Sequence, residues 1–93
     1  MASDRPVGID LQENEENRAL VEAIEADNDD LTVRHMPGMI RLTKNGQLVI
    51  NQATVEEKMN RPWETHELQV AIISYFGEFV EWDDDQIVIA WQH

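Results

Sequence analysis

Between Leu31 and Asn51 the sequence runs through three short stretches that alternate apolar with polar residues, and turn-forming pairs separate them. Leu31 and Val33 point one way and Thr32 and Arg34 the other; Ile40 with Leu42, then Leu48 with Ile50, keep the same two-residue period. That period marks strands with one buried face. Pro37–Gly38 marks a corner, because proline holds φ near a turn value and glycine accepts positive φ. Asn45–Gly46 suits a tight type I′ turn, so residues 39–44 and 47–51 are predicted to pair as a β-hairpin.

The flanks extend this reading. Residues 7–12 alternate as a first strand. Asn14 is placed to cap a helix that opens with Glu15 and Glu16 and carries Leu20, Val21, Ala23 and Ile24 at helical spacing. The run Asp27, Asn28, Asp29, Asp30 ends it. Thr54 to Glu57 matches a capping box, with Thr54 as cap and Glu57 reaching back, and predicts a short helix through Met59, stopped before Pro62. A longer helix is predicted after Trp63–Glu64–Thr65, with Leu68, Ala71, Ile72 and Tyr75 as its buried stripe and Gly77 as its C-terminal stop. Ser74 falls mid-helix in that reading, bonding a carbonyl one turn back. Residues 79–82 and 86–91 read as two last strands joined by the acidic turn at Asp83, Asp84 and Asp85.

The order is thus β-α-β-β-β-α-α-β-β, an α+β fold with helices on one face of a mainly antiparallel sheet. Ninety-three residues suit one domain over 7–93, with residues 1–6 as a flexible N-terminal tail.

Charge narrows the function. A formal net charge of −12 disfavours nucleic acid and anionic membrane surfaces as partners. No segment approaches membrane-spanning length, and the cytoplasm is the expected compartment. The charge is also uneven. Residues 13–30 hold eight acids against Arg18 alone, yet residues 31–55 hold no Asp or Glu while carrying Arg34, Arg41 and Lys44. Such asymmetry orients a partner during encounter, although strands disfavour Asp and Glu in any case.

Chemistry has little foothold. With no cysteine, disulfides, thiolate metal sites and iron–sulfur ligation are excluded. His35, His66 and His93 form no paired spacing that places two metal ligands on one helix. Ser3 lies in the tail, and no nucleophile elbow exists. The run Asp83–Asp85 lacks the alternating ligands and central glycine of a calcium loop. No cofactor, metal or catalytic residue is expected. The surface is left to act. Met36 and Met39 bracket Pro37–Gly38, and methionine adapts to a partner's shape, though either one alone reads as readily as core. With Arg34 and Arg41 they form a candidate docking patch. Arg61 and Trp63, around Pro62, form a second, since Trp and Arg carry much of the energy of interfaces.

The run from Val33 to Leu42, VRHMPGMIRL, resembles a stretch of the coupling proteins of phenol hydroxylases. So do Thr54–Val55–Glu56–Glu57, then Arg61–Pro62–Trp63, and the acidic turn entering Ile87–Val88–Ile89–Ala90–Trp91. The resemblance covers about residues 7–91 and lies in several motifs at the right separations. It implies a cofactor-free effector of a bacterial multicomponent monooxygenase. Its partners would be a hydroxylase with a carboxylate-bridged di-iron centre and an NADH-dependent reductase, in aromatic hydrocarbon catabolism. The few residues before the first strand favour the phenol/toluene branch over the methane branch, whose members carry a long N-terminal extension. Two rival readings stand beside it. A free-standing sensor domain would bind a small molecule alone, and a small enzyme would use His35 or His66 as a base.

Overall fold

The computed structural model describes residues 5–91. Seven strands and three helices follow in order: β1 (Pro6–Gln12), α1 (Glu15–Asp27), β2 (Thr32–Met36), β3 (Met39–Asn45), β4 (Gln47–Asn51), α2 (Gln52–Met59), α3 (Leu68–Ala71), β5 (Ile72–Phe76), β6 (Glu78–Trp82) and β7 (Gln86–Ala90). A single 3-10 turn at Thr65–Glu67 leads into α3. The α+β class and the expected order hold, with one strand more than predicted. Residues 1–4, 92 and 93, and so Ser3, His93 and most of the expected tail, lie outside the described residues; Pro6 already belongs to β1.

Antiparallel pairing builds two sheets, ordered β2-β3-β1-β5 and β4-β7-β6. Their inner faces close on one core. Val7, Ile9 and Leu11 of β1, Ile40 and Leu42 of β3, Leu48 and Ile50 of β4, and Ile87 and Ile89 of β7 are all buried. Leu20, Ala23 and Ile24 of α1, Val55 of α2, Trp63 and Leu68 complete it. Asn14 caps α1 as predicted, its side chain accepting from the Asn17 N–H at 2.8 Å.

Three local expectations fail, each for a visible reason. The hairpin of residues 39–51 does not form, because β3 pairs with β1 and β2 while β4 pairs with β7. Only Gly46 (φ 92°) carries positive φ there, whereas a type I′ turn needs it at both central residues. Asn45–Gly46 is instead the corner where the chain changes sheet. The true hairpin is β2–β3, with Met36 opposite Met39 across Pro37–Gly38. Gly38 has φ 78°, the value a type II turn requires at its third position.

The capping box also moves. Helix α2 starts at Gln52, ahead of Thr54. The box forms instead between Glu64 and Glu67, whose carboxylate accepts the Glu64 N–H at 3.0 Å. Thr65, beside the box, is buried and donates its hydroxyl to the Asp83 carbonyl at 2.7 Å.

Finally, the long helix ends at Ala71, and residues 72–76 run as edge strand β5 beside β1. β-Branched and aromatic side chains suit a strand, and β1 supplies the fit. A Cβ on Gly8 would overlap the Leu42 carbonyl and approach the Phe76 ring to 2.8 Å. Glycine at that site therefore makes room for Phe76. Gly77 (φ 122°) turns the chain from β5 into β6 rather than stopping a helix.

Candidate functional site: the outer face of the first sheet

Side chains alternate across a sheet, so the register of β2-β3-β1-β5 assigns its two faces. Val33, His35, Ile40 and Leu42 turn inward, where Val33, His35 and Ile40 meet Val21, Glu22 and Glu25 of α1. Thr32, Arg34 and Met36 turn outward with Met39, Arg41 and Thr43 opposite them. Gly8, Asp10 and Gln12 continue that outer face on β1, and Ser74 and Phe76 continue it on β5. Four of the six candidate docking residues are thus brought together as facing pairs, Arg34 with Arg41 and Met36 with Met39. Arg34 is exposed, while Arg41 and both methionines are half-buried. The methionines are therefore neither core nor fully solvated.

At the centre of this face lies a buried charge. Asp10 is 3% exposed, and its carboxylate accepts from Arg41 Nε at 2.8 Å, Arg41 Nη2 at 3.1 Å and the Ser74 hydroxyl at 2.7 Å. The Arg41 hydrogen bond is the main reason the Asp10 carboxyl stays below its ordinary range; burial opposes the shift and Ser74 assists it. The same bond raises the Arg41 pKa. The Arg41 guanidinium also lies 5.6 Å from the centre of the Phe76 ring. Three strands, β5, β1 and β3, are tied by this one carboxylate.

Arg61 and Trp63 lie elsewhere. Trp63 is 2% exposed and belongs to the core; its N–H donates to Glu56 at 2.9 Å and its carbonyl accepts from Gln52 at 3.1 Å. Arg61 is half-buried and binds the carboxylates of Glu16 on α1 and Glu67, the latter at 3.3 Å. Glu16 is the main cause of the raised Arg61 pKa. The Glu67 carboxyl is lowered first by the Glu64 N–H, then by Arg61. Arg61 is a clasp between α1 and the segment before α3.

Sequence reasoning missed Asp10 and Ser74. Asp10 reads as one more outward polar residue of an alternating strand, and Ser74 reads as a residue in mid-helix. Nothing local marks their pairing, since Arg41 lies 31 residues from Asp10 and Ser74 lies 64.

His35 and His66 are both exposed, on different elements; His66 faces Glu64 at 3.3 Å. Among the described residues no group of three or more His, Cys, Asp or Glu is placed to hold a metal ion. No helix among them is long and apolar enough to cross a membrane. Concavities among the described residues include open grooves of about 200 to 400 Å³.

The structure is a small α+β sandwich with a buried ion pair at the centre of one sheet face. The chain belongs to the MmoB/DmpM family, whose sequence model matches residues 5–90. It is 40% identical over 87 residues to the stimulatory component DmpM of phenol 2-monooxygenase from Pseudomonas sp. (strain CF600), covering 94% of this chain and 96% of that one. A chain in a solved structure of a phenol hydroxylase–regulatory protein complex is 39% identical, with a TM-score of 0.88, covering 95% of this chain and all of that one. Regulatory protein B of soluble methane monooxygenase shares the fold at a TM-score of 0.74 and 17% identity; the match covers 94% of this chain and 65% of that one.

Proposed function

We propose that this chain is the non-catalytic regulatory component of a phenol/toluene-type multicomponent monooxygenase. It binds the hydroxylase and promotes oxygen activation coupled to substrate hydroxylation. The observation that carries this reading is 40% identity to a stimulatory component along nearly the full length of both chains. The hydroxylase holds the di-iron centre, an NADH-dependent reductase supplies electrons, and the system works in the cytoplasm.

A protein that brings no reactive group alters catalysis by binding one conformation of the enzyme more tightly than another. Linkage makes the effect reciprocal: if docking changes the affinity for substrate, substrate changes the affinity of docking by the same factor. The choice of hydrocarbon belongs to the hydroxylase pocket.

The docking surface is the outer face of β2-β3-β1-β5, centred on Arg34, Met36, Met39 and Arg41. Two adaptable apolar side chains beside two cations, in the acid-free stretch of an otherwise acidic chain, support this placement. Val70, 79% exposed, adjoins that face at Gln12, whose side chain donates to the Val70 carbonyl at 3.4 Å, and supplies further apolar area. Arg61 and Trp63 contribute indirectly, Trp63 by anchoring the segment that carries Arg61.

Reconstitution tests the function. Purified hydroxylase and reductase are assayed for product and NADH consumption with and without the chain. Faster hydroxylation and more product per NADH are expected on addition. Unchanged rate, product pattern and coupling would remove the proposal.

A further inference from the structure

We propose that Asp10 and Ser74 are positioning residues that fix the Arg41 guanidinium on the outer face, so that Arg41 and the facing Arg34 together receive a carboxylate of the hydroxylase. The inference rests on the docking face proposed above and names what that face recognises.

Like charges directly opposite on neighbouring strands repel, yet Arg34 and Arg41 face each other in β2 and β3. Asp10 resolves the conflict from one side only. It takes Nε and Nη2 of Arg41 edge-on, and among the described residues no carboxylate pairs with Arg34. The Nη1 edge of Arg41, and all of Arg34, keep their donors for a partner.

Stability alone does not call for the arrangement. A buried ion pair contributes little net stability, and well-packed apolar residues of similar volume serve as well or better. An ion pair does hold a guanidinium in one orientation, which lowers the entropy lost when a second carboxylate binds it. The hydroxyl of Ser74 completes the carboxylate's shell, so Asp10 stays fixed between its two neighbouring strands. A carboxylate is the fitting occupant because two facing guanidinium groups offer planar N–H forks. The chain's own acids lie in other segments, with no Asp or Glu between residues 31 and 55. An acidic side chain approaching there meets no repulsion from neighbours in that stretch.

Binding of purified chain to isolated hydroxylase is titrated at several salt concentrations for the wild type, D10N, S74A, R41K, R34Q and the D10N/R41K double variant, with M36D as the probe of the face. Circular dichroism confirms folding. R41K keeps the charge but loses the second edge, and is expected to weaken docking roughly tenfold with its salt dependence retained, whereas R34Q removes a charge and is expected to flatten that dependence. D10N and S74A, with wild-type spectra, are expected to weaken it by about fivefold. The double variant should bind no worse than R41K alone, because a positioning residue has nothing left to position.

Wild-type affinity in D10N and S74A, or additive losses in the double variant, would overturn the positioning role; should D10N fail to fold, S74A alone decides. Wild-type binding by R41K and R34Q, with M36D weakened, would overturn the carboxylate receptor and leave the docking face standing. Wild-type binding by M36D would remove the face itself, and the receptor with it.

Discussion

Asp10 is the one buried acid among the described residues. Its carboxyl sits below the ordinary 3.8, chiefly through the Arg41 hydrogen bond acting against burial. The folded chain therefore binds fewer protons than the unfolded chain as acid is added. The stability this contributes is complete above the unfolded value near 3.8 and is lost as pH falls through the lower folded-state value. Replacing Asp10 by Asn is expected to flatten the acid limb of stability, measured as urea midpoints from about pH 7 down to about pH 2. An unchanged limb would mean that other carboxylates govern acid unfolding. Asn28 is the second residue of note. Buried at the end of α1, its amide donates to the carbonyls of Ile24 and Val49, both at 2.7 Å, and accepts the Val49 N–H at 2.9 Å. Asn28→Ala leaves these groups unpaired and is expected to cost about 2–3 kcal/mol, with faster hydrogen exchange at the Val49 amide. A midpoint within experimental error of wild type would contradict that role.

Secondary-structure elements explain what the sequence disclosed and what it withheld. Strands β1, β2, β3 and β4 follow a two-residue apolar period, and α1 follows a helical one with its cap at Asn14, so local chemistry alone located them. Partners were not local. Asn45–Gly46 has the composition of a hairpin turn, but β4 finds its partner in β7, some forty residues away, and the same two residues serve as a corner. Ile72 to Phe76 has apolar positions that satisfy a helix or a strand, and the decision falls to β1, where Gly8 admits the Phe76 ring and Asp10 meets Ser74. The second candidate patch, Arg61 with Trp63, loses Trp63 to the core and has Arg61 bound to Glu16 and Glu67; a single sequence does not separate an interface tryptophan from a buried one. Gly8→Ala tests the element-level account. A methyl there overlaps the Leu42 carbonyl and crowds Phe76, and a loss of about 1–3 kcal/mol is expected, with weakened protection of the β5 amides. Full wild-type stability would show that β5 is held by something other than this fit.

At the scale of the whole molecule, acidity and openness are divided between surfaces. Charges on α1, Arg18 apart, and on the β6–β7 turn are acidic, whereas the outer face of the first sheet offers methionine and arginine around a neutralised centre. On the proposed reading, that division lets the chain select one state of a large partner. Methionine methyls report on it directly, because Met36 and Met39 lie on the proposed face while Met59 sits at the end of α2, in a groove with Glu16 and Arg61. The chain labelled at its methionine methyl groups is titrated with unlabelled hydroxylase and followed by methyl NMR. Shifts or broadening at Met36 and Met39, with Met59 unmoved, is the predicted result; a response at Met59 with Met36 and Met39 unchanged would contradict the account.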